Sequence, residues 1–155
     1  MGIEAVRAYF KERNLEERVI ELKDSSATVA LAAKALGCEE AQIAKTMSFL
    51  VEGKPLLILL AGDVKIDNGK YKRHFRAKAK MIPQEELVEL IGHPMGGVCP
   101  FAIREGVPVY LDESLKKLET LYPAAGTANS AVRLQLEELE TLLGSAWVDV
   151  SKSAQ

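Results

Sequence analysis

The segment of residues 92–101, Gly-His-Pro-Met-Gly-Gly-Val-Cys-Pro-Phe, is the part of the chain best suited to hold a reacting group. The adjacent Gly96 and Gly97 let the backbone approach a ligand closely and direct successive N–H groups at an anion or a developing oxyanion. A tight connector between a helix and a strand is the alternative interpretation. Because Pro94 and Pro100 restrict the chain on both sides of the glycines, we favour a binding loop.

Cys99 in this segment offers a thiol that could act as a nucleophile, with His93 as its base. The flanking residues do not predict the strand–turn–helix of a nucleophile elbow, and the thiol could equally line a pocket wall. His74 is the only other histidine and Cys38 the only other cysteine. A histidine-based triad or a metal site is therefore poorly supplied, and we expect neither a metal nor a cofactor.

Lys45 lies in the apolar run Ile-Ala-Lys-Thr-Met-Ser-Phe-Leu of residues 43–50. It is either a solvent-facing residue at the margin of a sheet or a fixed cation that projects into a cleft towards a phosphate or a carbonyl. The pattern alone leaves both interpretations open. The carboxylates of Asp63 and Asp67 do not form a clear general acid–base pair, and Asp67 is better placed to cap a helix.

The basic residues are concentrated in one segment, although the net charge of the chain is −2. Residues 65–80 contain one acid, Asp67, and seven basic residues: Lys65, Lys70, Lys72, Arg73, Arg76, Lys78 and Lys80. This asymmetry indicates a phosphate-binding face on an otherwise acidic body. A solvated basic helix face is the alternative.

The elements that would position these residues predict an α+β fold with about six strands and five helices. Helices are expected at 1–10, at 28–36, after Asp67, from Pro83 and at 139–143; strands are expected at 18–22, 44–51, 56–61, 107–111, 132–136 and 146–150. Strand 56–61 is apolar on both faces, which is typical of a central strand, and it forms a hairpin with strand 44–51. Such hairpin links favour a mixed, curled sheet over a doubly wound parallel one.

The chain shows no internal repeat and no linker, so we predict one domain over residues 1–155. No apolar run approaches the ~20 residues that span a bilayer. The N-terminus lacks the apolar region of a signal peptide. These features predict a cytoplasmic protein with no membrane partner.

Taken together, these motifs resemble the YbaK family, the free-standing relatives of the editing insertion of bacterial prolyl-tRNA synthetases. The resemblance spans nearly the whole chain, and the order and spacing of the blocks carry it. The blocks are the helix of residues 28–37, Ile43-Ala44-Lys45-Thr46, the strand ending at Asp63, Ile66-Asp67 with the basic helix, Gly96-Gly97-Val98-Cys99-Pro100, residues 107–112 and residues 122–126.

The resemblance implies deacylation of a mischarged aminoacyl-tRNA on a partly barrel-like mixed sheet with peripheral helices. It assigns Lys45 to the terminal adenosine or the carbonyl, and the Gly96–Gly97 loop to the aminoacyl group. It implies no nucleophilic side chain, because the terminal ribose hydroxyl and a bound water would supply the chemistry. Residues 65–80 would bind the phosphates of the acceptor end.

Several neighbours of these residues are expected to contact the substrate. They are Thr46, Met47, Asp63, Val98, Cys99, Pro100 and Asn129. An aminoacyl-tRNA synthetase is a further candidate partner, and we expect no DNA binding. The chain departs from the family at Cys99, where serine is common, at Ala102, and at Ala124 and Ala131, where some members have serine and aspartate. These departures leave the amino-acid specificity open.

Two other functions remain open. The chain could be a non-catalytic RNA-binding or synthetase-associated module that uses the basic segment alone. It could also be a hydrolase whose nucleophile is the thiol of Cys99.

Overall fold

A computed structural model describes residues 2–154 and is built around one six-stranded sheet. In chain order its strands are β2 (Ile43–Val51), β3 (Lys54–Ala61), β5 (Val109–Asp112), β6 (Thr120–Pro123), β8 (Leu134–Gln135) and β9 (Ala146–Val148), and in space the order is β8-β6-β2-β3-β5-β9. The sheet curls into a half-barrel. The predicted mixed α+β class is confirmed.

Two smaller sheets flank the half-barrel. β1 (Val19–Glu21) pairs antiparallel with β7 (Ser130–Val132), and β4 (Val64–Ile66) pairs antiparallel with β10 (Ser151–Ser153). The sequence pattern did not predict β4 or β10. Such three-residue strands are too short to show the alternation on which strand prediction depends.

The hairpin of β2 and β3 forms the centre of the sheet, with antiparallel pairs from Ala44–Ala61 to Val51–Lys54. β5 pairs with β3 in parallel, and β9 pairs with β5 in parallel. The side chains of Leu57 to Ala61 are 0% exposed. A strand buried on both faces explains why this run contains no polar residue, as the sequence predicted.

In residues 2–154, five α-helices lie around the sheet, and local signals fix most of their ends. They are α1 (Gly2–Lys11), α2 (Val29–Leu36), α3 (Asn68–Phe75), α4 (Leu87–Leu90) and α5 (Leu136–Leu143). The Thr28 hydroxyl accepts from Leu31 N at 3.2 Å and caps α2, which ends at Gly37 in the left-handed conformation. Asp67 caps α3 by accepting from Lys70 N at 3.0 Å, as predicted.

Two predicted strands have different bounds in the structure, because part of their backbone forms hydrogen bonds with other segments. The strand expected at 132–136 is divided between β7 and β8, which join different sheets. The strand expected at 146–150 ends at Val148, because Val150 N donates to the buried carboxylate of Asp112 at 2.9 Å. Within residues 2–154, no helix is long and apolar enough to cross a membrane.

Candidate functional site

A cleft opens where one edge of β2 has no strand beside it. β6 pairs with β2 only at Ile43 and Ala44. Further along the same strand, Leu50 N donates to Lys80 O at 2.8 Å. Between these two contacts, residues 45–47 pair with β3 alone among the strands of the described chain. The interrupted edge therefore exposes the part of β2 that carries Lys45.

The cleft has a volume of about 240 Å³ and is lined by four parts of the chain together with Met81 and Leu87. Residues 26–29 lead into α2 on one side, and residues 43–48 of β2 form the floor. The glycine-rich loop contributes Met95, Gly96 and Val98, and the fourth part comes from Tyr122 and the segment that follows it. The structure thus brings Lys45 and the glycine-rich loop to one cavity.

Lys45 is the only charged side chain among the described residues that line the cleft. Its amine makes no hydrogen bond or salt bridge within residues 2–154. Partial burial lowers the pKa of Lys45 from its ordinary value, and the negative charge of Asp63 opposes this shift. A half-buried amine without a partner is an unsatisfied cation that an anionic or carbonyl oxygen in the cleft would stabilise.

The two adjacent glycines have different roles. Gly96 lines the cleft with φ at +87°, and a Cβ placed there would lie 3.0 Å from Ala128 Cβ. Gly97 is buried, and a Cβ there would overlap with Gly126 C and Thr127 N. Gly97 therefore permits the loop to pack directly on the backbone of residues 126–127, which holds Gly96 at the cleft surface.

Cys99 does not line the cleft, contrary to the expectation that it would contact the substrate. It is 0% exposed, and its Sγ lies 3.5 Å from His93 Nε2 and 3.7 Å from Phe101 O. Burial raises the pKa of the Cys99 thiol to about 12, so the reactive thiolate is strongly disfavoured. Pro100 is buried beside it and is also outside the cleft lining. Both residues belong to the support of the loop.

The remaining predicted contact residues divide between the cleft and its surroundings. Thr46, Met47 and Val98 line the cleft. Asp63 does not, because its carboxylate accepts from Lys117 Nζ at 2.7 Å on the surface. Asn129 lies outside the lining as well; its amide nitrogen donates to Leu22 O at 3.1 Å and thereby ties two loops together.

Comparison with known proteins identifies the family. The model of the aminoacyl-tRNA editing domain matches residues 23–142. The chain belongs to this family. It is 45% identical over 154 residues to the Bacillus subtilis (strain 168) protein YwhH, across 98% of each chain. The proline–tRNA ligase of Citrifermentans bemidjiense is 28% identical over 99 residues, which are 63% of this chain and 17% of the ligase.

A solved structure has the same fold over nearly its whole length. It is described as that of "a putative trans-editing enzyme for prolyl tRNA synthetase", with a TM-score of 0.88 and 32% identity over 97% of both chains. The predicted membership of the YbaK family is therefore confirmed, together with the half-barrel fold.

The basic segment of this editing domain adjoins the cleft lining at its C-terminal end, where Lys80 precedes the cleft-lining Met81. Six of the seven predicted phosphate-binding residues are exposed: Lys65, Lys72, Arg73, Arg76, Lys78 and Lys80. Lys70 differs, since its Nζ donates to Asp149 Oδ1 at 3.0 Å and to Ser151 O at 2.8 Å. Its charge is therefore partly neutralised within the protein.

Several residues of the editing-domain cleft were not among the predicted site residues. Ser26 and Ala27 line it but carry no motif. Tyr122, Ala124 and Ala131 also line it, although they were noted only as parts of the family resemblance and not as site residues. The N-cap at Thr28 was the available signal for the first group, because it places the preceding residues at the end of a helix. Ala124 and Ala131 form an isolated antiparallel bridge that no local pattern predicts.

Proposed function

We propose that the protein hydrolyses the ester bond of mischarged aminoacyl-tRNA in trans. The observation that carries this proposal is the unpaired amine of Lys45 in the same cleft as the backbone of Gly96 and Val98. Membership of the aminoacyl-tRNA editing family supports the substrate class. The likeness to proline–tRNA ligases makes tRNA(Pro) the first tRNA to test.

The reaction needs few catalytic side chains from the protein, because an aminoacyl ester is already labile. A site that orients the ester, places water beside it and stabilises the developing oxyanion is sufficient. In this proposal Lys45 polarises the carbonyl or holds the terminal adenosine, and the loop at Gly96 supports the aminoacyl group through its backbone. The attacking water is assisted by a hydroxyl of the terminal ribose, as the family resemblance implies.

The exposed basic residues extend the site towards the acceptor stem. Lys78 and Lys80 would contact phosphates nearest the cleft, and Lys72, Arg73 and Arg76 those further away. Contacts of this kind fix the position of the RNA and do not read its bases. Any selection among tRNAs must then come from other contacts or from a synthetase partner.

The direct test is a deacylation panel on tRNA(Pro) charged with alanine, cysteine, serine, threonine or proline. We expect at least one ester to be hydrolysed faster than in the absence of protein. Lys45→Ala should lower that rate about 100- to 1,000-fold, the effect of removing one preorganised oxyanion donor. Lys34→Ala, which removes an exposed lysine outside the cleft, is the matched control and should leave the rate unchanged.

The same panel separates the proposal from its two rivals. A non-catalytic RNA-binding module would protect bound aminoacyl-tRNA from hydrolysis, and wild type and Lys45→Ala would protect it equally. A thiol hydrolase would lose nearly all activity in Cys99→Ser. Because Cys99 is fully buried with a raised pKa, we expect that variant to keep its activity within a few-fold, provided that it folds.

A further inference from the structure

The wall of the cleft beside the glycine-rich loop is apolar. Ala124 and Ala131 face each other in an antiparallel bridge, and both line the cleft. The loop meets this wall through residues 126–128, because Cβ atoms at Gly96 and Gly97 would contact Ala128 and Gly126 respectively. The loop backbone and these two alanines, which we call the alanine wall, therefore line the same cleft.

The serine and threonine hydroxyls around the alanine wall already make hydrogen bonds within the protein. Ser130 Oγ lies 2.7 Å from Thr127 Oγ1 and 3.3 Å from both Thr127 N and Thr127 O. Ser26 Oγ donates to Ala128 O at 3.1 Å. The hydroxyl of Thr28 is occupied by the cap of α2. Each of these hydroxyls therefore already makes a hydrogen bond within the protein. The hydroxyl of Tyr122, which also lines the cleft, makes none within residues 2–154, and Tyr122 packs against the cluster that contains Ala32 and Ala33, on the side of α2.

The floor of the cleft also has few hydroxyl groups that could bond a polar side chain of a substrate. Thr46 Oγ1 is buried with no hydrogen-bond partner, so the exposed part of this side chain is not its hydroxyl. Ser48 lines the cleft, and within residues 2–154 its hydroxyl has no partner. Ser48 is four residues along β2 from Ala44, which is about 13 Å at the usual rise of a strand. Ala44 pairs with Pro123 next to the alanine wall, so Ser48 lies at the opposite end.

We propose that the aminoacyl group accepted by this cleft has an aliphatic side chain, and that hydroxylated side chains are discriminated against. The inference rests on the proposed deacylase function and specifies its substrate. A serine or threonine hydroxyl placed against the alanine wall would lose hydrogen bonds to water, and no unpaired serine or threonine hydroxyl lies beside the wall to replace them. An aliphatic side chain of the same shape loses nothing and gains apolar contact.

The expected discrimination is moderate. A hydrophobic pocket discriminates against an isosteric substrate that carries a hydroxyl by at most about 100-fold. The reason is that such a pocket has no buried polar group that the wrong substrate would leave unpaired. We therefore expect ratios of about 10- to 100-fold within each isosteric pair. The pairs are 2-aminobutyryl against seryl, and valyl against threonyl.

The experiment measures hydrolysis of these four esters on one tRNA transcript. Each rate is divided by the rate of the same ester without protein, which removes differences in intrinsic lability. In any pair that is cleaved, faster hydrolysis of the aliphatic ester than of its hydroxylated partner supports the inference. Ratios within about threefold of unity, or a preference for serine or threonine, overturn it while leaving the deacylase function intact. If the full panel, including alanine, cysteine and proline esters, stays uncleaved, the function fails and the inference fails with it.

A variant of the wall tests where the preference arises. Ala124 is partly exposed, so Ala124→Ser places a new hydroxyl at the wall with little added volume. We expect the seryl rate to rise about 3- to 10-fold relative to the 2-aminobutyryl rate, the effect of one hydrogen bond. Ala30→Ser, on the exposed side of α2 and outside the cleft, is the control and should leave the ratio unchanged.

Two further results would contradict the assignment. An unchanged ratio in a folded Ala124→Ser protein would show that the preference arises elsewhere. Loss of seryl hydrolysis in Ser48→Ala, with 2-aminobutyryl hydrolysis unaffected, would show that the substrate side chain points to the other end of the cleft. Circular dichroism of each variant establishes that it is folded, and Ala131→Ser replaces Ala124→Ser if the latter does not fold.

Discussion

Replacing Gly96 by alanine tests whether the backbone of the glycine-rich loop must hold one position at the cleft. Gly96 has φ at +87°, and Gly106, in the turn before β5, has φ at +85°. An alanine therefore meets the same backbone strain at both positions. The surroundings differ, because a Cβ at Gly96 would lie 3.0 Å from Ala128 Cβ, whereas nothing lies within 4 Å of a Cβ at Gly106. Gly106→Ala is thus a matched control.

The expected magnitudes follow from this geometry. The left-handed conformation costs an alanine about 1–2 kcal/mol, and the stiffer unfolded chain returns about 0.4–1 kcal/mol. Both variants should lose about 1 kcal/mol of unfolding free energy. Only Gly96→Ala must also move the loop or Ala128 by a few tenths of an ångström. Since a displacement of 1 Å can cost about 100-fold in rate, we expect this variant to lose about 10-fold.

The assay pairs urea denaturation with deacylation of the best ester under conditions where every variant is folded. We expect Gly96→Ala and Gly106→Ala to lose similar amounts of stability, and only Gly96→Ala to lose activity. Equal loss of activity in Gly106→Ala would show that general destabilisation, and not the position of the loop, limits the rate. Full activity in a folded Gly96→Ala protein would show that the loop backbone does not need the observed position.

Three further predictions concern charge. If protonated Lys45 is required, the deacylation rate above background should fall as pH rises through the pKa of Lys45, which burial places below the usual 10.5. Lys45→Arg should abolish this fall at high pH, because arginine stays charged. Superimposable pH profiles of the wild type and Lys45→Arg would contradict a role for the protonated amine. Asp112 is buried and accepts three hydrogen bonds, so Asp112→Ala should lower the unfolding free energy in urea by about 3 kcal/mol or more; a loss below about 1 kcal/mol would be inconsistent with this network. Lys72→Ala and Arg73→Ala should each reduce the slope of log affinity against log salt by about 1, and unchanged slopes would place the RNA elsewhere.

Local signals in the sequence were sufficient for most of the secondary structure. The cap at Thr28 and the left-handed Gly37 bound α2, and both were predicted because their effects act within one helical turn. The uniformly apolar β3 was predicted to be central for a similar reason, since burial on both faces excludes polar residues from a strand. Such elements are encoded by neighbours in the chain.

The content of the site was predictable only in part. Lys45 and Gly96 line one cleft, although the pattern around Lys45 left its environment open. Cys99 illustrates the limit, because nothing in its neighbourhood distinguishes a thiol at a cleft surface from one turned towards His93 in the core. The direction of a side chain in an irregular loop depends on packing with distant segments. The alanine wall depends on such packing for the same reason.

The interrupted edge of β2 links the fold to the proposed chemistry. If β6 continued along β2 beyond Ala44, residues 45–47 would be paired on both sides and no cleft could open there. Because pairing stops, Lys45 remains half-buried at the cleft, which reduces the screening of its charge by water. The same departure of β6 carries the chain into Ala124 and the loop that supports Gly97. A single break in strand pairing thus accounts for the cation, the backbone cradle and the apolar wall at one place.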